Sequence, residues 1–287
     1  MRFYLVTTDH LTDRLLFRDD EDFKAGMNFT PVIALALNVL VVAFILMSNH
    51  VHYVIGCRRR SEALAFITQF KDLYGRYFCK KYKVKNFLRR LNVDISELEE
   101  GDGGLENGVA YVLMNSVAAK ICISASDYPW GSGNCYFNQN SIRGARIDTM
   151  SRRTRIKLMH SKKEVKPGWI ITDDGYIEPR SYVAVKTVEA VYRTPGQMRH
   201  ALYNSSKAKA RMETSAGMPA FRDQIILESL KDLCNNLFGK KQIEVLTQEE
   251  QSELLKQIKW RFSADIKQIC RVTGIPQEKA VTMLDSL

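Results

Sequence analysis

A chain of 287 residues, 45% hydrophobic and 26% charged, is long enough for two or more domains and too evenly mixed to be fibrous, disordered or disulfide-stapled. Its formal charge of +10 favours a polyanionic partner, an inference about steering and not about fold. The six cysteines (57, 79, 122, 135, 234 and 270) show neither CxxC nor zinc-like spacing and read as reduced packing residues. The first residues lack a signal-peptide pattern. The longest apolar run, Val32 to Met47, falls short of a membrane span and carries Asn38, so a cytoplasmic location without a membrane partner is expected.

In chain order, residues 3–8 read as a short strand, with a second extended piece at Leu15–Arg18. Asp20 has the character of a helix N-cap, with Glu21 and Asp22 in the first turn, and the helix is expected to run to about Leu37 with Pro31 kinking or dividing it. Leu40–Met47 has the unbroken apolar character of a central strand; Ser48-Asn49 turns the chain and His50–Cys57 returns as its hairpin partner. From Ser61 the apolar residues recur at helical spacing through Phe78. Residues 99–104 are a glycine-rich break. A further helix is expected over about Leu105–Ile123, before the loop Asp127-Tyr128-Pro129-Trp130-Gly131.

Beyond residue 137 the composition changes. Residues 138–165 are basic with little apolar periodicity, and residues 168–183 suggest a hairpin turning at Asp174-Gly175. Helices follow at about 188–192, 198–212 and 221–238, and Ala264–Leu284 reads as helix, glycine turn, helix. In that last segment Ile266, Ile269 and Val272 are expected to pack on Val281 and Leu284, with Gln277, Lys279 and Thr282 facing a groove. The fold class is therefore α+β: an antiparallel sheet flanked by helices (ferredoxin- or RRM-like) over 1–137, a basic linker with a hairpin over 138–184, and a helical region over 185–287 ending in a helix-turn-helix from about 248.

Two motifs bear on chemistry. On a strand, His50 and His52 project from one face while Val51 points away, which suits a shared divalent metal as well as it suits two hydrogen-bonded core histidines. On a helix, Tyr111 and Asn115 are four apart and share a face, though a tyrosine at that spacing is commonly a packing residue. Candidate phosphate contacts are Arg58, Arg59 and Arg60 after the histidine strand, Arg152, Arg153 and Arg155, and the segment Ser206–Arg211; a solvated surface explains the last two equally well. Tyr53, Tyr74, Tyr77, Tyr128 and Trp130 could stack on unpaired bases or fill the core.

Taken in order, Phe17-Arg-Asp-Asp-Glu-Asp-Phe23, Leu46-Met-Ser-Asn-His-Val-His52, Tyr111-Val-Leu-Met-Asn-Ser-Val117 and Asp127-Tyr-Pro-Trp-Gly131 resemble the IS200-like HUH transposases that act on single-stranded DNA, closest to REP-associated tyrosine transposases. The resemblance covers about residues 1–137. It implies that Tyr111 is a nucleophile forming a 5′-phosphotyrosine, that His50, His52 and Asn115 hold Mg²⁺ or Mn²⁺, and that a homodimer acts on hairpin-containing DNA. Ser48 and Ser116 stand where the family pattern has prolines. The alternatives are a non-catalytic DNA-binding regulator derived from that family, and a metal-dependent hydrolase using water.

Overall fold

The computed structural model describes residues 1–12, 14–88, 91–99, 101, 103–205 and 221–285. The first half is a βαββαβ unit: β1 (Arg2–Thr8), α1 (Asp20–Leu37), β2 (Leu40–Met47), β3 (His50–Cys57), α2 (Arg60–Tyr82) and β4 (Val93–Leu98). The strands form one antiparallel sheet in the order β2-β3-β1-β4, the ferredoxin-like arrangement. Strand β4 is absent from the sequence reading. Only Val93, Ile95 and Leu98 are apolar in it, and an edge strand needs little more.

Alternation divides the sheet's two faces. Tyr4, Val6 and Thr8 of β1 share a face with Tyr53 of β3, and this face packs on α1 and α2. Tyr53 meets Phe66 and Phe70, and its hydroxyl is hydrogen-bonded to Thr30 at 2.9 Å. Helix α1 begins one residue earlier than expected, because the side chain of Asp19 caps it by accepting from the Asp22 N–H. It runs unbroken through Pro31, where the sequence suggested a kink or division. The other face carries His50, His52 and Val54, and α3 (Gly104–Leu113) crosses it over β2 and β3. The helix expected to reach Ile123 pauses at Met114 and resumes as the single turn α4 (Asn115–Ala118). The amide of Asn115 donates to the carbonyls of Tyr111 and Val112, a local bond that competes with the helical ladder.

Strand β2 would be an open edge, but two segments cover it. Residues 130–132 bond to Phe44 and Leu46, and the Ala184 N–H donates to the Val41 carbonyl. Gly131 is required there, since a Cβ would sit 2.8 Å from the Phe44 carbonyl oxygen. The helices α5 (Arg152–Met159), α6 (Val185–Tyr192) and α7 (Pro195–Asn204) complete this half, with Val188, Tyr192 and Met198 joining the sheet's core. The turn at 173–175 forms, with Gly175 at φ 91°, but its arms share one bridge, Ile171 to Ile177. Ile170–Ile171 (β6) pairs instead with Ala145–Arg146 (β5).

A separate apolar core lies in α8 (Asp223–Phe238), α9 (Gln248–Phe262), α10 (Ile266–Thr273) and α11 (Gln277–Asp285). Gly274, at φ 73°, turns α10 into the α11 segment as its sequence suggests. Ile269 and Val272 pack with Ala280 and Met283 there, and Ile266 and Leu284 pack against this core as expected, whereas Val281 is 40% exposed. Among the described residues, no helix is long and apolar enough to cross a membrane.

Candidate metal centre and nucleophile

The turn Ser48-Asn49 organises the site. Asn49 accepts at its backbone carbonyl from the Leu11 N–H (3.1 Å), and its amide donates to the Leu11 carbonyl (2.9 Å). This pair of bonds clamps the segment after β1 against the hairpin and brings in His10. The His10 ring stacks on His50 with centroids 3.6 Å apart, and His50 lies edge-on to His52 at 4.6 Å. Each of the three offers one ring nitrogen, and these nitrogens lie within 4.8 Å of one another. His50 and His52 are buried while His10 is exposed, so the cluster opens to solvent on one side. His50 Nδ1 is 2.7 Å from Asn49 Oδ1; if that nitrogen carries the proton, Nε2 is the nitrogen presented to a cation.

Tyr111 reaches the cluster from α3. Its ring is 5.4 Å from that of His52, nearly perpendicular to it, and half-buried. Burial, with the charge of Asp94 adding to it, raises the phenol above its ordinary value. Asp94 belongs to the same transverse row as His52, because Thr7 pairs with both. Asn115 lines a cavity of about 330 Å³ together with His10 and His50. With its amide nitrogen bonded to its own helix, Oδ1 is the atom it has to offer.

The far wall of this cavity comes from the helical unit: Arg222, Asp223, Gln268 and Arg271. Asp223 is buried. It accepts from Ser48 Oγ at 2.6 Å, from Gln268 Nε2 at 2.9 Å and from Arg271 at 2.9 and 3.2 Å. Gln224 adds a bond from its amide to the Phe17 carbonyl. Ser48, a departure from the resembled pattern, thus holds a hydroxyl where a proline would offer none. Ser116 is fully buried and its hydroxyl accepts from the Cys122 thiol.

The structure brings His50, His52, Tyr111 and Asn115 to one place. Tyr128 lines the same cavity, and the other described sequence candidates lie elsewhere. Arg58, Arg59 and Arg60 stand at the opposite end of β3, about 25 Å from His50 by strand rise. Arg152, Arg153 and Arg155 are on α5, which packs against α1 on the other side of the sheet. Gln277, Lys279 and Thr282 are exposed on α11. Ser206–Arg211 lies outside the described residues. Tyr53, Tyr74, Tyr128 and Trp130 are buried and serve packing; Tyr128 donates its hydroxyl to the Leu46 carbonyl, and Trp130 stacks on Phe23. The motif at 17–23 is structural too: Asp19 and Asp22 receive Lys81 and Tyr82 from α2.

Sequence reasoning missed His10, Asp94 and Asp223. His10 follows Asp9 at the end of β1, and its being one of five histidines was the available signal.

No family profile matches this chain. No curated protein matches it either. Among solved structures, a REP-associated tyrosine transposase bound to a REP hairpin is similar at 12% identity and a TM-score of 0.37, over 60% of this chain and 93% of that one. With so low a score, the fold rests on the strand order and register described above.

Proposed function

We propose that this protein is a metal-dependent enzyme that cleaves and rejoins single-stranded DNA through Tyr111. The observation that carries the reading is the convergence, from separate elements, of three histidines and one tyrosine: His10 after β1, His50 and His52 on β3, and Tyr111 on α3. The four motifs of the sequence resemblance supply the substrate class. The Tyr111 oxygen attacks the phosphodiester, a bond to phosphorus forms, the bond to the 3′-oxygen breaks, and the phenolic proton is balanced by the proton gained by that oxygen. The covalent 5′-phosphotyrosine retains the bond's free energy for rejoining. His10, His50 and His52 would hold a divalent cation, with Asn115 at the margin; the cation supplies charge stabilisation to the phosphate. A set of three imidazoles suits Mn²⁺ better than Mg²⁺, which prefers oxygen ligands. The tyrosine begins protonated, since burial and Asp94 favour the neutral phenol.

The division of labour follows: the sheet unit cuts, and the helical unit, with its exposed Gln277, Lys279 and Thr282, engages duplex or hairpin DNA. The homodimer implied by the resemblance belongs to this proposal and is checked by light scattering with and without DNA. The primary test is incubation with labelled hairpin DNA and Mn²⁺, resolved on a denaturing gel beside Tyr111→Phe. A slow-migrating adduct in the parent and none in the variant is expected. Cleavage that survives the substitution makes the protein a hydrolase, and binding without cleavage makes it a regulator.

A further inference from the structure

A second cleft, of about 350 Å³, opens where the segment between β1 and α1 meets the helical unit. Its lining carries five cations, Arg14, Arg18, Lys231, Lys241 and Arg271, against one carboxylate, Glu244. These come from three parts of the chain: the loop before α1, helix α8 with the connection that follows it, and α10. Arg14, Arg18, Lys231 and Lys241 are exposed at the rim. The guanidinium of Arg18 lies over the Tyr82 ring at 4.9 Å, and Arg271 is held by Asp223.

Arg271 also lines the cavity that contains His10 and His50. The two spaces therefore adjoin across one fixed side chain. We propose that this cleft binds the phosphate backbone of a single DNA strand and delivers it to Tyr111. The proposal rests on the function proposed above and assigns the strand a path built jointly by both units.

Three arguments favour a polyanion over a small anion. With Arg271 paired to Asp223, four other cations still outnumber the one carboxylate of the lining, and like charges facing one concavity focus a field that a chain of phosphates relieves. The cleft shares Arg271 with the cavity lined by His10 and His50. The competing basic surface, Arg152, Arg153 and Arg155 on α5, lies across the sheet from Tyr111 and cannot guide a strand to it. Apolar Leu15, Leu227 and Leu230 floor the cleft, so its phosphate contacts are made by the charged rim.

The test is fluorescence anisotropy of labelled oligothymidylate against the full chain over a range of salt. A cleft variant carries Arg14→Gln, Lys231→Gln and Lys241→Gln, all at exposed positions that leave the Asp223 network and the histidines intact. A control variant carries Arg152→Gln, Arg153→Gln and Arg155→Gln. Each phosphate contact on a single strand contributes a slope of about 0.7 in log affinity against log salt, so the cleft variant should lose about 2 in slope and about 100-fold in affinity near 0.1 M salt. The control should lose neither. An unchanged slope in the cleft variant, equal losses in both variants, or a parent that does not bind overturns the proposal. The covalent adduct is scored separately. Cleft-dependent binding without any Tyr111 adduct refutes the proposed chemistry and leaves the cleft standing, whereas parental adduct formation by the cleft variant refutes the cleft alone.

Discussion

Replacing Asp223 by alanine should unlatch the helical unit from the sheet unit. The carboxylate is buried, and four hydrogen bonds converge on it: one from Ser48, one from Gln268 and two from Arg271. Removing it strands a guanidinium whose side chain is only 18% exposed. Breaking a buried pair from one side costs about 3–5 kcal/mol, and the partial exposure of Arg271 places this case near the low end, about 3 kcal/mol. Asp223→Asn retains a carbonyl acceptor and should cost less, about 1–2 kcal/mol. Because Asp223 ties the Ser48 turn to α10, the loss should appear as separation of two unfolding steps in urea, with the fluorescence of buried Trp130 and Trp169 following the sheet unit and helical circular dichroism following the helical unit, whose Trp260 is 81% exposed. A double-mutant cycle with Arg271→Ala isolates the pair: the double variant should be more stable than the sum of the singles predicts, by at least about 1 kcal/mol. Additive singles, each below about 0.5 kcal/mol, would show that the network is a surface accident and that the two units associate by other means.

Lys81→Met tests the pair of aspartates at the start of α1. Burial raises the Asp22 carboxyl despite its hydrogen bond from Lys81. Burial raises Asp19 too, but hydrogen bonds from Lys81 and the Asp22 N–H outweigh it and hold that carboxyl below its usual range. A raised folded-state carboxyl gains stability as pH falls through it, and a lowered one loses stability as pH falls through it. Without Lys81, Asp22 rises further and Asp19 loses its depression. The variant should therefore be weaker than the parent by about 2–3 kcal/mol near neutrality and converge on it as both carboxyls protonate; a deficit in Tm that stays constant from pH 7 to pH 4 would refute this. At the metal centre, His10→Ala should weaken Mn²⁺ binding at least about tenfold in calorimetry while leaving the fold intact, because His10 is exposed and its removal opens no core cavity. Equal affinity in parent and variant would remove His10 from the ligand set, and tighter binding of Mg²⁺ than Mn²⁺ would argue against a three-imidazole site.

How much of this could be read from the chain depends on the range of the forces involved. The β2–β3 hairpin, its histidines and the Tyr111 helix were legible, because apolar run, turn and helical period are local signals. The α10–α11 pair was legible for the same reason, with Gly274 and Pro276 marking its turn. Strand β4 was not, since its place at the sheet edge is set by pairing with β1 and not by its own apolar content. Missing β4 concealed Asp94, which joins the site only through the row shared by Thr7 and His52. His10 was hidden because its position depends on two hydrogen bonds between Leu11 and Asn49, residues 38 apart in sequence. Basic runs were the least informative. Charge carries no direction, and the structure sets Arg58–Arg60 and Arg152–Arg155 away from the site while drawing Arg14, Lys231 and Lys241 together from distant segments.

The turn Ser48-Asn49 is where these arrangements join. Asn49 holds both His10, through Leu11, and His50, through its own side chain; the adjacent Ser48 holds Asp223 and with it α8 and α10. Two neighbouring residues thus connect the histidine cluster to the helical unit through hydrogen bonds no longer than 3.1 Å. Such a joint has a bounded strength. The Ser48–Asp223 bond, charge-assisted and buried, is worth about 1.5–3 kcal/mol, so occupation of the helical unit can shift affinity at the histidines by no more than about 10- to 150-fold through this bond. Ser48→Ala cuts the joint while sparing every histidine and the Asp223–Arg271 pair. If DNA held by the helical unit acts on the centre by this route, the substitution abolishes the change in Mn²⁺ affinity that DNA produces and leaves the affinity of the DNA-free protein near the parent's.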